Sequence, residues 1–447
     1  MELNKSKFQI WLRESITLKM LVVGFLFLVL LIPLVFAQDL ITERKARQQE
    51  VINEINGKWG NPVTLTGPIF KVPYKTQKET RIFNKETDSY EIKHEEVTHY
   101  AYFLPETVKF DSEIESKPLN RSIYKSVVFT SDTEITGDFP ELRLNHENII
   151  PEDILWEKAT LIMQTSNLKG IRNNVSITLN GQTYEMNPIY DKSAMNTLES
   201  EPVKDLAARI QDPGHFQMHL EINGSERMRY IPVGRTTLAS MSSDWKSPKF
   251  DGMFLPEDGS REITSEGFKA DWKVLQINRQ FEQIFYNELP DLRKFAFGSD
   301  LIIPVNEYVK SERASKYGAM VIGLTLLVFL LIQLVSRIYI HPFQYVMIGL
   351  ALVMFYTLLI SISEHSSFMT AYLVASVSVI GLITLYSRTI LKGFKFSLLI
   401  AAALTSLYGF LYIILQLEDY ALLVGSIGLF VILAIVMFAT KRIDWNR

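Results

Sequence analysis

Three groups of residues in this chain have the types and spacing for chemistry. The first is Glu364-His365, a carboxylate beside an imidazole. Such a pair can bind a cation or relay a proton, because imidazole changes charge near neutral pH. It closes an uncharged apolar stretch, and ionisable residues at such places are candidates for function. The plain alternative is a loop pair that touches water or the rest of the protein. The second group is His94-Glu95-Glu96-Val97-Thr98-His99, which invites comparison with the zinc-protease motif. That motif needs histidines at i and i+4 on one helix face. Here they are five apart in a segment with strand alternation, where they point to opposite faces. They read as exposed polar strand residues. The third group is Gly234-Arg235 with Asp244-Trp245, richer in polar and aromatic groups than its surroundings. It reads as a binding face or as loop anchors, with Trp245 buried and Arg235 paired.

No nucleophile and base can be assembled from these groups. The chain has no Gly-x-Ser-x-Gly elbow, Walker loop or dinucleotide fingerprint. It has no cysteine, which excludes disulfides, thiolate catalysis, Fe–S clusters and Cys-ligated zinc. The residues therefore imply no cofactor and no metal, name no catalytic residue, and point away from an enzyme. No basic patch or nucleic-acid motif occurs, so nucleic acid is not an expected partner.

The elements that must position these residues are of two materials. Residues 38–316 carry 43 acidic and 35 basic side chains, and the rest of the chain carries 6 and 11. Six stretches, 20–37, 317–336, 342–363, 366–387, 396–417 and 420–440, lack any charge over lengths near the bilayer requirement of roughly 20 residues. Backbone polar groups in hydrocarbon must be satisfied within the segment, so these are expected to be helices. The last five are joined by short connections and should form an up-and-down bundle. The 11 basic residues outside 38–316 are Lys5, Lys7, Arg13, Lys19, Arg337, Arg388, Lys392, Lys395, Lys441, Arg442 and Arg447. Alternation of six spans puts them all on one side, which the positive-inside rule makes cytoplasmic. The opposite short loops hold Glu364, Glu418 and Asp419. The expectation is a multi-pass protein with both termini cytoplasmic and residues 38–316 outside. The first span also has the basic lead and the small residues Val35 and Ala37 of a signal-peptidase site, so its cleavage is the competing reading. Phe8, Trp11, Ile16 and Leu18 suggest a surface helix leading into it, and 39–59 reads as its amphipathic continuation. No span has a charge at its middle, which argues against an ion-coupled transporter and leaves a lipid or apolar-substrate path open.

After Trp59, the residues Gly60, Asn61 and Pro62 break the helix. Alternating segments follow at 69–74, 90–104, 122–130, 176–179 and 217–222. Asn180-Gly181 and Asn223-Gly224 supply the positive φ angles of tight hairpin turns, so two hairpins are predicted there. A short helix is predicted at 203–210. The fold class is thus a membrane protein of six transmembrane α-helices, one plus five, with a large, mostly antiparallel β (α+β) domain, a sandwich or two stacked subdomains. The expected domains are 1–37 (tail and first span), 38–316 (β-rich) and 317–447 (five-helix bundle and tail).

Several separated motifs occur in an order that resembles the inner-membrane protein CreD family, also called cell envelope integrity proteins. They include Trp59-Gly60, Leu65-Thr66-Gly67-Pro68, Val72-Pro73-Tyr74, Pro232-Val233-Gly234-Arg235, Ser242-Ser243-Asp244-Trp245, Phe254-Leu255-Pro256 and Gly267-Phe268 with Trp272. In the apolar part they include Glu312-Arg313-Ala314, Lys316-Tyr317-Gly318, His341-Pro342, Gln344-Tyr345, Gly349-Leu350-Ala351, Ser363-Glu364-His365 and the tail Arg442-Ile443-Asp444-Trp445. The sequence departs from the family at Ser122, where the family usually has Gly. It departs again at Asn167-Leu168-Lys169-Gly170, where the family tends to Asp-Leu-Arg-Gly, so a salt bridge at Asn167 is in doubt. The resemblance implies retention of the first span, a bacterial inner-membrane location, a periplasmic domain and a link to envelope integrity and a two-component system of similar name.

Two functional readings follow. In the first, the outer domain binds an envelope component or protein partner and the bundle holds it at the bilayer. In the second, a transporter or lipid-handling protein uses the five-helix bundle, with Glu364 and His365 at its outer mouth. An outer-leaflet hydrolase or transferase has the least support, since no nucleophile can be named.

Overall fold

The computed structural model describes residues 15–84, 89–144, 149–191, 193–303, 307–336, 338–391, 394–417 and 420–441. Phe8, Trp11 and the C-terminal motif Arg442 to Trp445 lie outside the described residues. So do the expected orienting charges Lys5, Lys7, Arg13, Arg337, Lys392, Glu418, Asp419 and Arg447. The chain divides into two compact units, residues 1–50 with 305–447, and residues 51–304.

The first unit is helical. Helix α1 (Ile16–Trp59) contributes its part up to Glu50. There follow α2 (Glu307–Lys316), α3 (Gly318–Ser336), α4 (Pro342–Ser363), α5 (Phe368–Leu391), α6 (Phe394–Gln416) and α7 (Ala421–Thr440). Among the described residues, five helices are long and apolar enough to cross a membrane: α1, α3, α4, α5 and α6. The sixth expected span is α7, whose apolar part, Leu423–Phe438, is shorter. The α4 start is encoded locally. His341 Nδ1 accepts from the Phe343 N–H at 3.2 Å, Gln344 Oε1 accepts from the His341 N–H at 2.9 Å, and Pro342 needs no hydrogen-bond acceptor.

Helix α1 buries Val23, Leu30, Leu34, Ala37 and Ile41 along one stripe and leaves Leu21, Phe25, Leu28, Ile32 and Phe36 exposed. The stripe sits in notches made by glycine. A Cβ on Gly349 would lie 2.1 Å from Leu30 Cδ1, and one on Gly318 would lie 2.5 Å from Leu34 Cδ1. Helices in lipid gain little from the hydrophobic effect, so close approach at small residues and shared hydrogen bonds must join them. Among the described residues two such bonds are buried. Tyr345 donates to Gln333 Oε1 at 2.6 Å between α4 and α3, and Tyr372 donates to the Tyr408 carbonyl at 2.7 Å between α5 and α6.

The second unit is a large mixed sheet. Its strands are β1 (Val63–Asn84), β2 (Ser89–Phe103), β3 (Thr107–Arg121), β4 (Tyr124–Asp138), β5 (Thr160–Thr165), β6 (Ser176–Leu179), β7 (Gln182–Ile189) and β8 (Asn196–Ser200). They continue with β9 (His215–Ser225), β10 (Arg227–Tyr230), β11 (Thr236–Ser243), β12 (Pro248–Gly252), β13 (Glu262–Ile263), β14 (Phe268–Leu275), β15 (Ile284–Tyr286) and β16 (Phe297–Leu301). The order is β12-β16-β10-β1-β5-β8-β7-β6-β9-β4-β3-β11-β14-β13, with β2 joining β1 to β15. Pairing is antiparallel except β1 with β10 and β3 with β11.

Strands such as β3, β9 and β14 bury alternate residues, as a sheet with one covered face requires. The sheet folds back so that its two ends share one core. Phe250 of β12 meets Trp272 of β14 edge-on at 5.7 Å, and the Phe110 ring of β3 stacks on Tyr230 of β10 at 4.7 Å. Tyr230 donates to Ser112 Oγ at 2.6 Å across the same gap, so the buried phenol is satisfied.

Asn180-Gly181 forms the expected turn between β6 and β7, with both φ angles positive. Asn223-Gly224 does not. It lies inside β9, where Gly224 pairs with Phe129. A Cβ on Gly224 would lie 2.4 Å from the Phe129 ring, so this glycine makes room for an aromatic instead of turning the chain. The turn comes later, at Glu226, with φ 59°. The predicted helix at 203–210 is a single three-residue turn, Leu206–Ala208, because Leu206 inserts into the sheet core and the flanking residues follow it.

Both departures from the CreD pattern have physical accounts. Ser122 is the first central residue of the tight β3–β4 turn and sits at φ 56°, the left-handed region that favours glycine. Asn167 is buried, and its amide donates to the Asn223 carbonyl at 2.9 Å and the Asn61 carbonyl at 3.3 Å. The position needs a donor, which asparagine supplies without a salt bridge. Chemical denaturation of the detergent-solubilised protein should find Ser122→Gly more stable by about 0.5–1 kcal/mol. Asn167→Asp, which aims a buried carboxylate at two carbonyls, should cost about 2 kcal/mol or more; an unchanged midpoint would refute the donor role.

Candidate functional site

Glu364 follows the last residue of α4, and His365-Ser366-Ser367 separate it from the start of α5. The turn leaves its side chain only 12 % exposed. Glu364 Oε1 accepts from the Tyr308 hydroxyl at 3.2 Å and lies 3.7 Å from Arg44 Nε. The carboxylate therefore joins α4 to α2 and to α1. A second contact of the same kind lies on α2. Lys45 Nζ meets Glu312 Oε2 at 2.7 Å, and Lys316 Nζ meets the other oxygen at 3.2 Å. Their hydrogen bonds hold the Glu312 carboxyl below the usual range. Gln38 adds a bond to the Ser315 carbonyl at 2.9 Å. Surface pairs of this type are worth at most about 1 kcal/mol each, so their geometry matters more than their sum.

Glu307 completes the group. Its carboxyl accepts from the backbone N–H of Phe368, the first residue of α5. That is where an acceptor satisfies an otherwise free helix donor. Lys310 stands 5.7 Å over the Phe368 ring. Burial raises the Glu307 carboxyl above its ordinary value, and Lys310 and the Phe368 N–H only partly offset it.

The sequence pairs Glu364 with His365, and the structure separates their roles. His365 is exposed, and no ion pair joins it to Glu364 among the described residues. Glu364 works with Arg44 and Tyr308, which lie far away in sequence and were missed. The signal available was Glu312-Arg313-Ala314 beside Lys316, a charged turn directly before a span.

In the β unit, Arg235 and Asp244-Trp245 flank the eight-residue strand β11 at opposite ends, about 30 Å apart at the usual strand rise. They do not form one site. Arg235 Nε meets Glu106 Oε2 at 2.8 Å and Nη1 meets Gln276 Oε1 at 3.2 Å. Behind it lies Arg279, nine-tenths buried and missed from sequence. Its guanidinium donates to the carbonyls of Val233, Gly234 and Phe281 and to Gln283 Oε1, and lies 4.0 Å over the Phe281 ring. Burial, helped by Arg235, lowers it to about 10. At the other end Asp244 Oδ1 accepts the Ser116 N–H at 2.8 Å, and the half-buried Trp245 indole donates to the Ser247 carbonyl at 3.1 Å.

The histidines of the 94–99 segment lie on β2. His94 reaches Glu79 at 3.9 Å, and His99 stacks on Tyr74 at 5.6 Å. No group of three or more His, Asp or Glu side chains placed to hold a metal ion occurs among the described residues.

Comparison with known proteins agrees with this architecture of apolar helices and a large sheet. A family described as inner membrane protein CreD matches residues 15–446. The chain belongs to the CreD family. It is 29 % identical over 436 residues to the inner membrane protein CreD of Escherichia coli (strain K12), which covers 94 % of this chain and 91 % of that protein. Family membership makes the chain a multi-pass inner-membrane protein in contact with the lipid bilayer.

The raised Glu307 carboxyl gives a pH test. The folded state favours its protonated form, so its contribution is complete below the unfolded carboxyl value of about 4.3 and is lost as pH rises through the higher folded value. Glu307→Gln stays neutral and can still accept from Phe368. Its melting temperature should match the unaltered protein in acid and exceed it at neutral pH. A difference that does not vary with pH would show that Glu307 does not titrate with folding.

Proposed function

We propose that this CreD-family chain is a non-enzymatic six-span envelope protein whose β unit lies in the periplasm and binds an envelope component or a protein partner. The orientation rests on the 11 basic residues outside 38–316, all assigned to one side by six-span alternation. The sixth span is α7, whose 20 residues reach about 30 Å.

The observation that carries partner binding is an apolar surface on the segment that joins the two end strands of the sheet. Strands β12 and β13 end the strand order, and edge strands leave backbone groups open to another chain. The segment between them exposes Met253 (56 %) and Leu255 (66 %), while Phe254 packs on the core, and Ile263 of β13 is also exposed. Asp244 and Trp245 lead into β12, with Gly267 packed against the Ser243 carbonyl. Leu255 is two-thirds exposed beside a Phe254 that does pack on the core, and that contrast favours recognition over packing. Arg235, at the far end of β11, anchors a loop in this reading.

A second reading, lipid handling by the bundle, is favoured by an apolar cavity among α3, α6 and α7. Glu364 then ties the helices together at the outer mouth, and His365 stands beside it.

The absence of cysteine makes a clean test possible. Tyr190→Cys on the β unit should react with an impermeant maleimide in spheroplasts, and Arg388→Cys only after lysis. The reverse pattern would invert the protein. A photoreactive residue at Leu255 should give a discrete adduct in native membranes that the same residue at Arg235 does not; no adduct, or identical ladders from both, would defeat the partner reading.

A further inference from the structure

Between α3, α6 and α7 lies a cavity of about 520 Å³. Its walls include Leu324 and Val328 of α3, Ala403 and Leu407 of α6, and Val431 and Ile435 of α7. These positions fall near the middle of each helix, away from both ends. No wall residue is charged. Of the two hydroxyls, that of Thr325 already donates to the Val321 carbonyl at 2.7 Å, and Ser406 is the other. Gly428 shapes one end, because a Cβ there would lie 1.9 Å from Phe410 Cζ. The Phe410 ring can press against α7 only because the glycine has no side chain.

We infer that this cavity is a binding site for one acyl chain of a membrane lipid. Water needs two to four polar partners to occupy a cavity, and this one cannot supply them. Left empty, the lining would lose its dispersion contacts on one side. The volume lies in the range of sites that take a single small ligand. The medium around the spanning helices is hydrocarbon, so the occupant that matches the walls is already present at their depth. The site differs from the ordinary lipid-facing surface in having three helical walls. It is a groove open to the surrounding lipid, since Val431 and Ile435 on its α7 wall are 49 % and 62 % exposed, so an acyl chain can enter from the side and touch three helices at once. The inference deepens the lipid-handling reading and rests on α7 crossing the bilayer.

The test uses full-length protein in vesicles of phosphatidylethanolamine and phosphatidylglycerol, with a trace of phosphatidylethanolamine carrying a mid-chain diazirine. After illumination, adducts are mapped by peptide. Adducts are expected on the wall segments of α3, α6 and α7 above the general labelling of outward faces. Ala403→Phe and, from the opposite wall, Val431→Phe should each lower wall adducts about tenfold, the loss expected for roughly two buried methylenes. Leu433→Phe should leave them unchanged. Wall labelling no stronger than that of outward faces, or unaltered in both filled variants, would overturn the site while leaving α7 as a span. If α7 takes no label anywhere, Phe430 and Leu433 included, the six-span reading fails and the site with it.

Discussion

In hydrocarbon no water is available to satisfy a backbone amide or to drive apolar faces together, and the helical unit is organised around that constraint. Satisfaction of the backbone makes each span a helix. The missing hydrophobic drive leaves close approach and shared polar contacts to join them. Gly318 and Gly349 supply the approach for α1. Tyr345 with Gln333, and Tyr372 with the Tyr408 carbonyl, supply buried bonds between neighbouring helices. Where the helices leave the apolar region, ionic contacts replace them. Glu364 and Glu312 each take a basic partner from α1, and Glu307 closes the start of α5.

The β unit meets the opposite situation, a water-exposed sheet with many polar groups to bury on closure. Its solutions are donor-rich. Asn167 feeds two carbonyls, and Tyr230 reaches across to Ser112. Asp300 Oδ1 accepts from both Arg227 and Arg229, at 3.1 and 3.0 Å, and Arg229 also contacts Asp251, so β10, β12 and β16 are joined by charge-assisted bonds. Arg279 is covered by three carbonyls and an amide oxygen. These residues bury polar and charged groups in the way functional sites do, yet their bonds run to the fold around them.

What was legible in the sequence was local. Uncharged runs gave the apolar helices, alternation gave the strands, and Asn180-Gly181 gave its hairpin because turn chemistry acts within four residues. Asn223-Gly224 misled because the same dipeptide serves a different need when an aromatic ring such as Phe129 presses on the backbone, and that ring is remote in sequence. The candidate site was less legible for the same reason. The partners of Glu364 lie 56 and 320 positions before it, on two other helices. Adjacency suggested His365, but side chains at successive positions of a turn need not share a direction. Arg235 and Asp244 stand nine positions apart in sequence, and the extended strand β11 holds them at opposite ends. The family resemblance identified the chain without indicating any of these contacts.

The contacts of α1 also set an order of events during synthesis. Gln38 bonds to Ser315 and Lys45 to Glu312, partners 277 and 267 positions downstream. When α1 leaves the ribosome, neither its glycine notches nor its counter-charges exist. At usual translation rates they arrive tens of seconds later, after the whole β unit has been made. During that interval α1 must persist as a solitary helix with its stripe against lipid. Its stripe is therefore all apolar, so that it can wait in the bilayer without a partner. Its basic pair, Arg44 and Lys45, lies beyond the apolar stretch, where water can solvate it until Glu364 and Glu312 are made.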